Sequence, residues 1–236
     1  MGKIIVDLEF WDIFPYAQLN VMIVKNIDNH CSEDEQHYFT ELLHEASNEA
    51  KKYLANERFS QNPVIDEWRK AFGQFKTKKG ARSSIEALLK RVSQDKAFSS
   101  INPLVDIYNS ISLKYAVPCG GEDLHLINGD LHLGKAKGGE FFLPLGADND
   151  SPALPEEIIY YDTEGAICRC LNWREAQRTM LTEYTTNAVL VMESINEEQA
   201  QRANRAMAEM KERIDYYFNA ESITTILNKE KSTSDY

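Results

Sequence analysis

Four short stretches of this chain carry residue types that could do chemistry. Pro118-Cys119-Gly120-Gly121-Glu122-Asp123 reads as a loop joining a helix to a strand. With no side chains, Gly120 and Gly121 let backbone amides approach a ligand closely or take positive φ, although a plain tight turn uses the same pair. Asp162-Thr163-Glu164-Gly165 reads as a turn ahead of a strand. A carboxylate there is either a solvated turn residue or an acceptor facing a pocket. Asn172-Trp173-Arg174, with Arg169 and Arg178, makes a polar and aromatic patch at a strand end. Such a patch can stack a base or an amino-acid ring and pair a phosphate, or bury a Trp under rim arginines. Thr182, Thr185 and Thr186 are spaced to cap a short helical turn before a strand at Ala188.

No side-chain nucleophile stands out. The chain has no Gly-x-Ser-x-Gly elbow and no His-Glu-x-x-His, and Lys76-Thr77-Lys78-Lys79-Gly80 lacks the Walker spacing. His125 and His132 fall in adjacent strands of an expected hairpin, which makes them cross-strand neighbours rather than an acid–base pair. The four cysteines read as reduced structural thiols, with Cys168 and Cys170 on one face of a strand. Five scattered histidines offer no zinc-like spacing, so neither a metal nor a cofactor is expected.

At 236 residues, 43% apolar and 27% charged, the chain can bury a proper core. No apolar run approaches the roughly 18 residues of a membrane helix, and the first residues lack a signal-like apolar region, which points to a cytoplasmic protein. The formal charge of −11 argues against a polyanionic partner, but it is unevenly spread. Lys51 to Lys114 holds 13 of the 26 basic residues against 6 acids, a local +7, which leaves −18 for the remainder. That basic segment is either an RNA-contacting module or a solvated helical face.

The elements that must position these groups follow from period and punctuation. Lys3 to Phe10 and Ala17 to Ile27 read as strands joined at Pro15. Ser32 and Glu35 form a capping box for a helix to about Ala55, Asn62-Pro63 opens a helix over Val64 to Phe72, and Ser83 and Glu86 form a second box. Behind that box Ile85, Leu88, Leu89 and Val92 make a buried stripe. Asn102-Pro103 opens another helix. Strands are expected at Leu124 to Ile127, Leu131 to Ala136, Glu140 to Leu145, Ile158 to Tyr161, Ala166 to Leu171 and Ala188 to Ser194, with Asn128-Gly129 as a hairpin turn. Asn196 caps an amphipathic helix from Glu197 to Phe218, a candidate homodimer interface. The pattern is α+β in one domain over residues 1–228, with a flexible tail at 229–236.

Taken together, Asn102-Pro103-Leu104-Val105-Asp106-Ile107-Tyr108-Asn109, Pro118 to Leu124, Tyr161-Asp162-Thr163-Glu164-Gly165, Cys170-Leu171-Asn172-Trp173-Arg174 and Thr185-Thr186-Asn187 resemble a known domain. It is the B3/B4 domain of the bacterial phenylalanyl-tRNA synthetase beta chain, in its free-standing form, over about Val64 to Ser194. The resemblance implies a β-sandwich-like core with packed helices. It also implies a tRNA or aminoacyl-tRNA partner and hydrolysis of mischarged aminoacyl-tRNA, such as tyrosine on phenylalanine tRNA, by a positioned water. It places Glu164 as the pocket glutamate that recognises the tyrosine hydroxyl and Thr185 as the pocket threonine. The Gly120 and Gly121 amides would hold the ester or ribose. Gly120 stands where editing synthetases carry a pocket histidine, as is common in free-standing members. The alternative is a non-catalytic module that binds an aromatic amino acid, a nucleoside or tRNA.

Overall fold

The computed structural model describes residues 2–236. The chain opens with β1 (Lys3–Val6), which breaks at Asp7 into α1 (Leu8–Ile13). The expected single strand Lys3 to Phe10 therefore does not form. Phe10, Trp11 and Phe14 recur at helical spacing and are all buried, and that packing outweighs the apolar run. After β2 (Gln18–Val24), α2 (Glu33–Ala50) starts at the Ser32–Glu35 capping box. α3 (Pro63–Phe72) has proline in its first turn, and Ser83 caps α4 (Ser84–Val92). In α5 (Pro103–Tyr115) the Asn102 side chain accepts from Val105 N at 3.1 Å. These starts agree with the sequence because a cap is a local device, satisfied by residues three apart.

Nearly all the later elements are strands. They are β3 (Cys119–Asp123), β4 (Leu131–Lys135), β5 (Ile158–Tyr161), β6 (Ala166–Arg169), β7 (Arg174–Glu175) and β8 (Ala188–Ser194). α6 (Glu197–Phe218), β9 (Ile223–Leu227) and β10 (Thr233–Asp235) complete the chain. One sheet runs β10-β1-β4-β5-β6-β7, and the other runs β3-β8-β2-β9. Within the first, β1 and β4 are parallel and the other pairs antiparallel.

Strand alternation shows how the sheets stack. Leu19, Val21 and Ile23 of β2 and Val189 and Val191 of β8 share one core with Ile4, Leu131, Leu133 and Ile158 of the other sheet. The intervening Met22, Val24, Leu190 and Met192 join a second core with α2, α5 and α6. The architecture is thus a helical layer, a four-stranded sheet and a six-stranded sheet, an α+β fold built on a β-sandwich. α3 and α4 contribute Ile65, Trp68, Ile85 and Leu89 to the inter-sheet core. Burying each such side chain contributes roughly 1.5–3 kcal/mol.

Several expectations need correction. Leu124 to Ile127 contains a single 3₁₀ turn (Leu124–Leu126) rather than a strand, because the Asp123 side chain accepts from His125 N at 2.9 Å and curls the backbone. The Asn128-Gly129 turn, with Gly129 at φ +85°, consequently leads from that 3₁₀ turn into β4 and not from strand to strand. Glu140 to Leu145 is irregular. The Glu140 carboxylate turns back to accept from Lys137 N at 2.7 Å and Gly138 N at 3.0 Å, while Asp150 takes Phe142 N at 2.9 Å, an amide that a ladder would have used. His125 and His132 are not strand neighbours, because His132 stacks on Tyr161 and its Nδ1 lies 3.0 Å from Asp7 Oδ1. The tail at 229–236 is not loose, since β10 pairs with β1 and Tyr236 OH donates to Gly129 O at 2.7 Å. The apolar stripe of α6 is buried within this same chain as part of the helical layer, so it is not a free dimer face.

A carboxyl-lined cavity between the sheets

The two sheets part at one end around a cavity of about 300 Å³. Its floor comes from β3 and β8. In their register Gly120 lies opposite Val191 and Glu122 opposite Val189, which turns Gly120, Glu122, Val189, Val191 and Glu193 toward the sandwich interior. Leu131, Tyr160, Cys168 and Glu175 close it from the other sheet, and Ser84 at the start of α4 forms a rim. An ideal Cβ on Gly120 would stand 3.5 Å from Glu175 Oε1, so the missing side chain is where that carboxylate reaches in. Gly121 points the other way. A Cβ there would press into Leu190 Cδ2 and lie 3.0 Å from Leu181 Cδ1, so this glycine allows close packing under the helical layer. Neither glycine takes positive φ; both are strand residues.

Three carboxyls share the space, and each has its pKa raised. Burial pushes Glu193 up to about 7, against hydrogen bonds to the charged form from Tyr160 OH at 2.9 Å and Asn172 Nδ2 at 3.2 Å. Glu175 keeps part of its surface toward the mouth, but its carboxyl is enclosed by protein and burial lifts it to about 7. Glu122 lies well above the usual carboxylate range because of burial and then the charge of Glu175. Its Oε2 and the Thr179 hydroxyl meet no partner in full hydrogen-bond geometry, although that hydroxyl stands close enough to favour the charged form of Glu122, and the Ser84 hydroxyl at the rim is likewise unpartnered. Cys168 is a buried thiol held far above its ordinary pKa, firstly by desolvation, and so is no nucleophile at neutral pH.

Asn172 and Trp173 reach the cavity through an unusual backbone. Cys170 and Leu171 are consecutive non-glycine residues at φ +49° and +63°, conformations that cost roughly 1–2 kcal/mol each and are held by two fully buried side chains. The chain reverses there, ending β6 at Arg169, so Cys170 lies beyond the strand that was expected to carry both cysteines. Asn172 then bridges two elements, accepting from Ser84 N at 3.1 Å while it donates to Glu193. Trp173 is partly buried, and the exposed Arg174 guanidinium sits 5.2 Å from its ring centroid.

Of the residues expected at a site, Gly120, Gly121, Asn172 and Trp173 line this cavity. Glu164, Thr185 and Arg169 do not. Glu164 is exposed on the β5–β6 turn, where it accepts from Asn128 Nδ2 at 3.1 Å. The buried carboxylate of that turn is Asp162, which takes the Glu164 and Gly165 amides and the Arg178 guanidinium. Thr185 is buried, with its hydroxyl accepting from Thr182 N at 3.0 Å in a turn rather than a helical cap. Arg169 is 1% exposed and paired with the fully buried Glu157, its Nε donating at 2.8 Å, on the opposite face of its strand. The expected meeting of Glu164 and Thr185 beside the paired glycines does not occur.

Sequence reasoning missed Glu122, Glu175, Glu193, Tyr160 and Ser84. A signal existed for Glu193, which follows Val189 and Val191 at period two on the inward face of a strand that is apolar from Ala188 to Met192. No equivalent marked Glu175, which a two-residue strand delivers. Among the described residues no group of three or more His, Cys, Asp or Glu side chains is arranged to hold a metal ion. Among them, too, no helix is long and apolar enough to cross a membrane.

A family model described as the B3/4 domain matches residues 67–229. Among solved structures, the fold is similar to an N-terminal fragment of the phenylalanyl-tRNA synthetase beta-subunit from Pyrococcus horikoshii, with a TM-score of 0.50 and 13% sequence identity. The match covers 96% of this chain and 54% of that one, so the chain spans about half the length of the fragment and the likeness is one of fold. A comparison with curated proteins found no match.

Proposed function

Since the chain belongs to the B3/4 domain family, we propose that its inter-sheet cavity receives the aminoacyl end of an aminoacylated tRNA and hydrolyses the ester. The observation that carries this reading is Glu175, an enclosed carboxyl with a pKa near 7 at the mouth of a cavity the size of one amino acid. A base whose pKa matches the working pH is present in its active form and still strong enough to take a proton. In the reaction, Glu175 accepts a proton from water as the oxygen attacks the ester carbonyl. The tetrahedral centre then collapses, the bond to the ribose oxygen breaks, and that oxygen leaves with the proton. The free amino acid and the uncharged tRNA end are the products. Glu193, fixed by Tyr160 and Asn172, is a positioning group for this site.

A path for the polyanion supports the same reading. The loop from Gly73 to Ser83 carries Lys76, Lys78, Lys79 and Arg82 and no acid, and all four are exposed. It ends one residue before Ser84, which rims the cavity. A phosphate backbone held along it by counterion release would bring a terminal ribose to the mouth. The similarity of fold to part of a phenylalanyl-tRNA synthetase supports tRNA as the carrier.

Purified protein should release amino acid from at least one member of a panel of charged tRNAs, beginning with tyrosine on phenylalanine tRNA. Glu175→Gln should slow that release by about 10²–10⁴-fold. Release at the spontaneous rate across the panel would defeat the hydrolase reading. Amino-acid binding without release would instead fit a binding module, the reading that the −11 charge favours.

A further inference from the structure

Three carboxyl groups line the cavity, and among the described residues its only cationic lining side chain is Arg174. Arg174 is spread over Trp173 at the exposed rim, and the Arg178 guanidinium beyond Thr179 is engaged by Asp162. Glu193 has two hydrogen-bond donors, whereas Glu122, 7% exposed and lining the same space, has only the nearby Thr179 hydroxyl and a buried carboxyl oxygen outside full hydrogen-bond geometry. An ionised carboxylate so enclosed is costly until a positive partner or further donors reach it. Around these acids the walls are apolar, from Leu131, Val189, Val191 and Trp173, and the volume admits one small body.

From this geometry we infer that the cavity selects ligands bearing a free primary ammonium on an apolar body, with Glu122 as the acceptor of that ammonium. Resting on the proposed function, this makes the substrate an aminoacyl group whose α-amino group is unblocked. An N-acylated aminoacyl end would bring a neutral amide and extra bulk to Glu122, and would be refused. Specificity of this kind is strong because the wrong ligand leaves the buried acceptor unpaired.

Calorimetry on the full chain at pH 8 tests it, with L-phenylalaninamide and L-leucinamide against their N-acetyl counterparts. The free amines should bind at least about tenfold tighter, as expected for a charge-assisted hydrogen bond. Glu122→Gln should erase that preference, with its thermal unfolding recorded alongside to show that it folds. Equal binding of the acetylated compounds to the natural protein overturns the inference whatever the variant does, and so does failure of the amines to bind at millimolar concentration. Charged tRNA with free and N-acetylated amino acid separates the two readings. Release without regard to acetylation refutes the amine requirement and leaves the hydrolase, whereas amine-selective binding without release does the reverse.

Discussion

Gly120 and Gly121 are neighbours with opposite tasks, because strand alternation turns one toward the cavity and the other toward the helices. A Cβ on Gly120 would make only ordinary contact with Glu175, so Gly120→Ala should change stability by less than about 0.5 kcal/mol. It should nonetheless weaken amine binding, because the methyl occupies the floor where the carboxylate now reaches. Gly121→Ala meets Leu190, Leu181 and the Val189 carbonyl together, of which the last is backbone and cannot yield. Overpacking of this kind costs about 1–3 kcal/mol. Urea unfolding of the two variants beside calorimetry should show stability lost in one and affinity lost in the other. Equal behaviour would mean that the two faces of β3 are wrongly assigned.

At the scale of elements, the irregular segment between β4 and β5 is held to the outer sheet by a buried ion pair. Arg169 of β6 makes a two-pronged contact with Glu157 and also donates to the Ser151 carbonyl. Arg169→Leu would strand a fully buried carboxylate and should destabilise by about 3–5 kcal/mol, while the double variant with Glu157→Leu should recover much of the loss. Denaturant midpoints measure both, and a mild single variant would show that the pair is not buried in solution. From the sequence, Arg169 belongs with Asn172 and Trp173 in one patch, yet the strand ends at Arg169 and the two positive-φ residues swing Asn172 and Trp173 to the other side. The helices were easier to read. Ser32 with Glu35, Asn62-Pro63, Asn102-Pro103 and Asn196 mark their starts through contacts within one turn. The apolar runs at Lys3 to Phe10 and Glu140 to Leu145 do not form the strands their pattern predicts, because whether such a run pairs, curls or packs depends on partners far away in sequence.

For the whole molecule, the carboxyl cavity should appear in the stability curve. Glu175 and Glu193 keep their protons up to about pH 7 when folded but lose them near the ordinary 4.5 when unfolded. Between those values the native state binds more protons than the unfolded state, so stability falls as pH rises from about 4.5 through about 7. For Glu193 alone this is on the order of 3 kcal/mol. Glu209 acts in the opposite sense. Although burial raises it, hydrogen bonds from Tyr115, Lys114 and Arg213 hold it at about 2, so its contribution is lost only at more acidic pH, outside that window. The urea midpoint should therefore be lower at pH 8 than at pH 5, and Glu175→Gln should narrow the gap by stabilising the protein at pH 8. A flat profile would mean that the cavity is open to bulk water. The sequence by itself determined the starts of α2 to α6, the α+β class and the family, since caps, hydrophobic period and motif spacing are all read within a few residues. Only the tertiary structure decided which carboxylates belong together. Glu122, Glu175 and Glu193 sit on three strands of two different sheets and meet through register and sheet stacking, whereas Glu164, the acid that the local pattern favoured, stays in solvent on its turn.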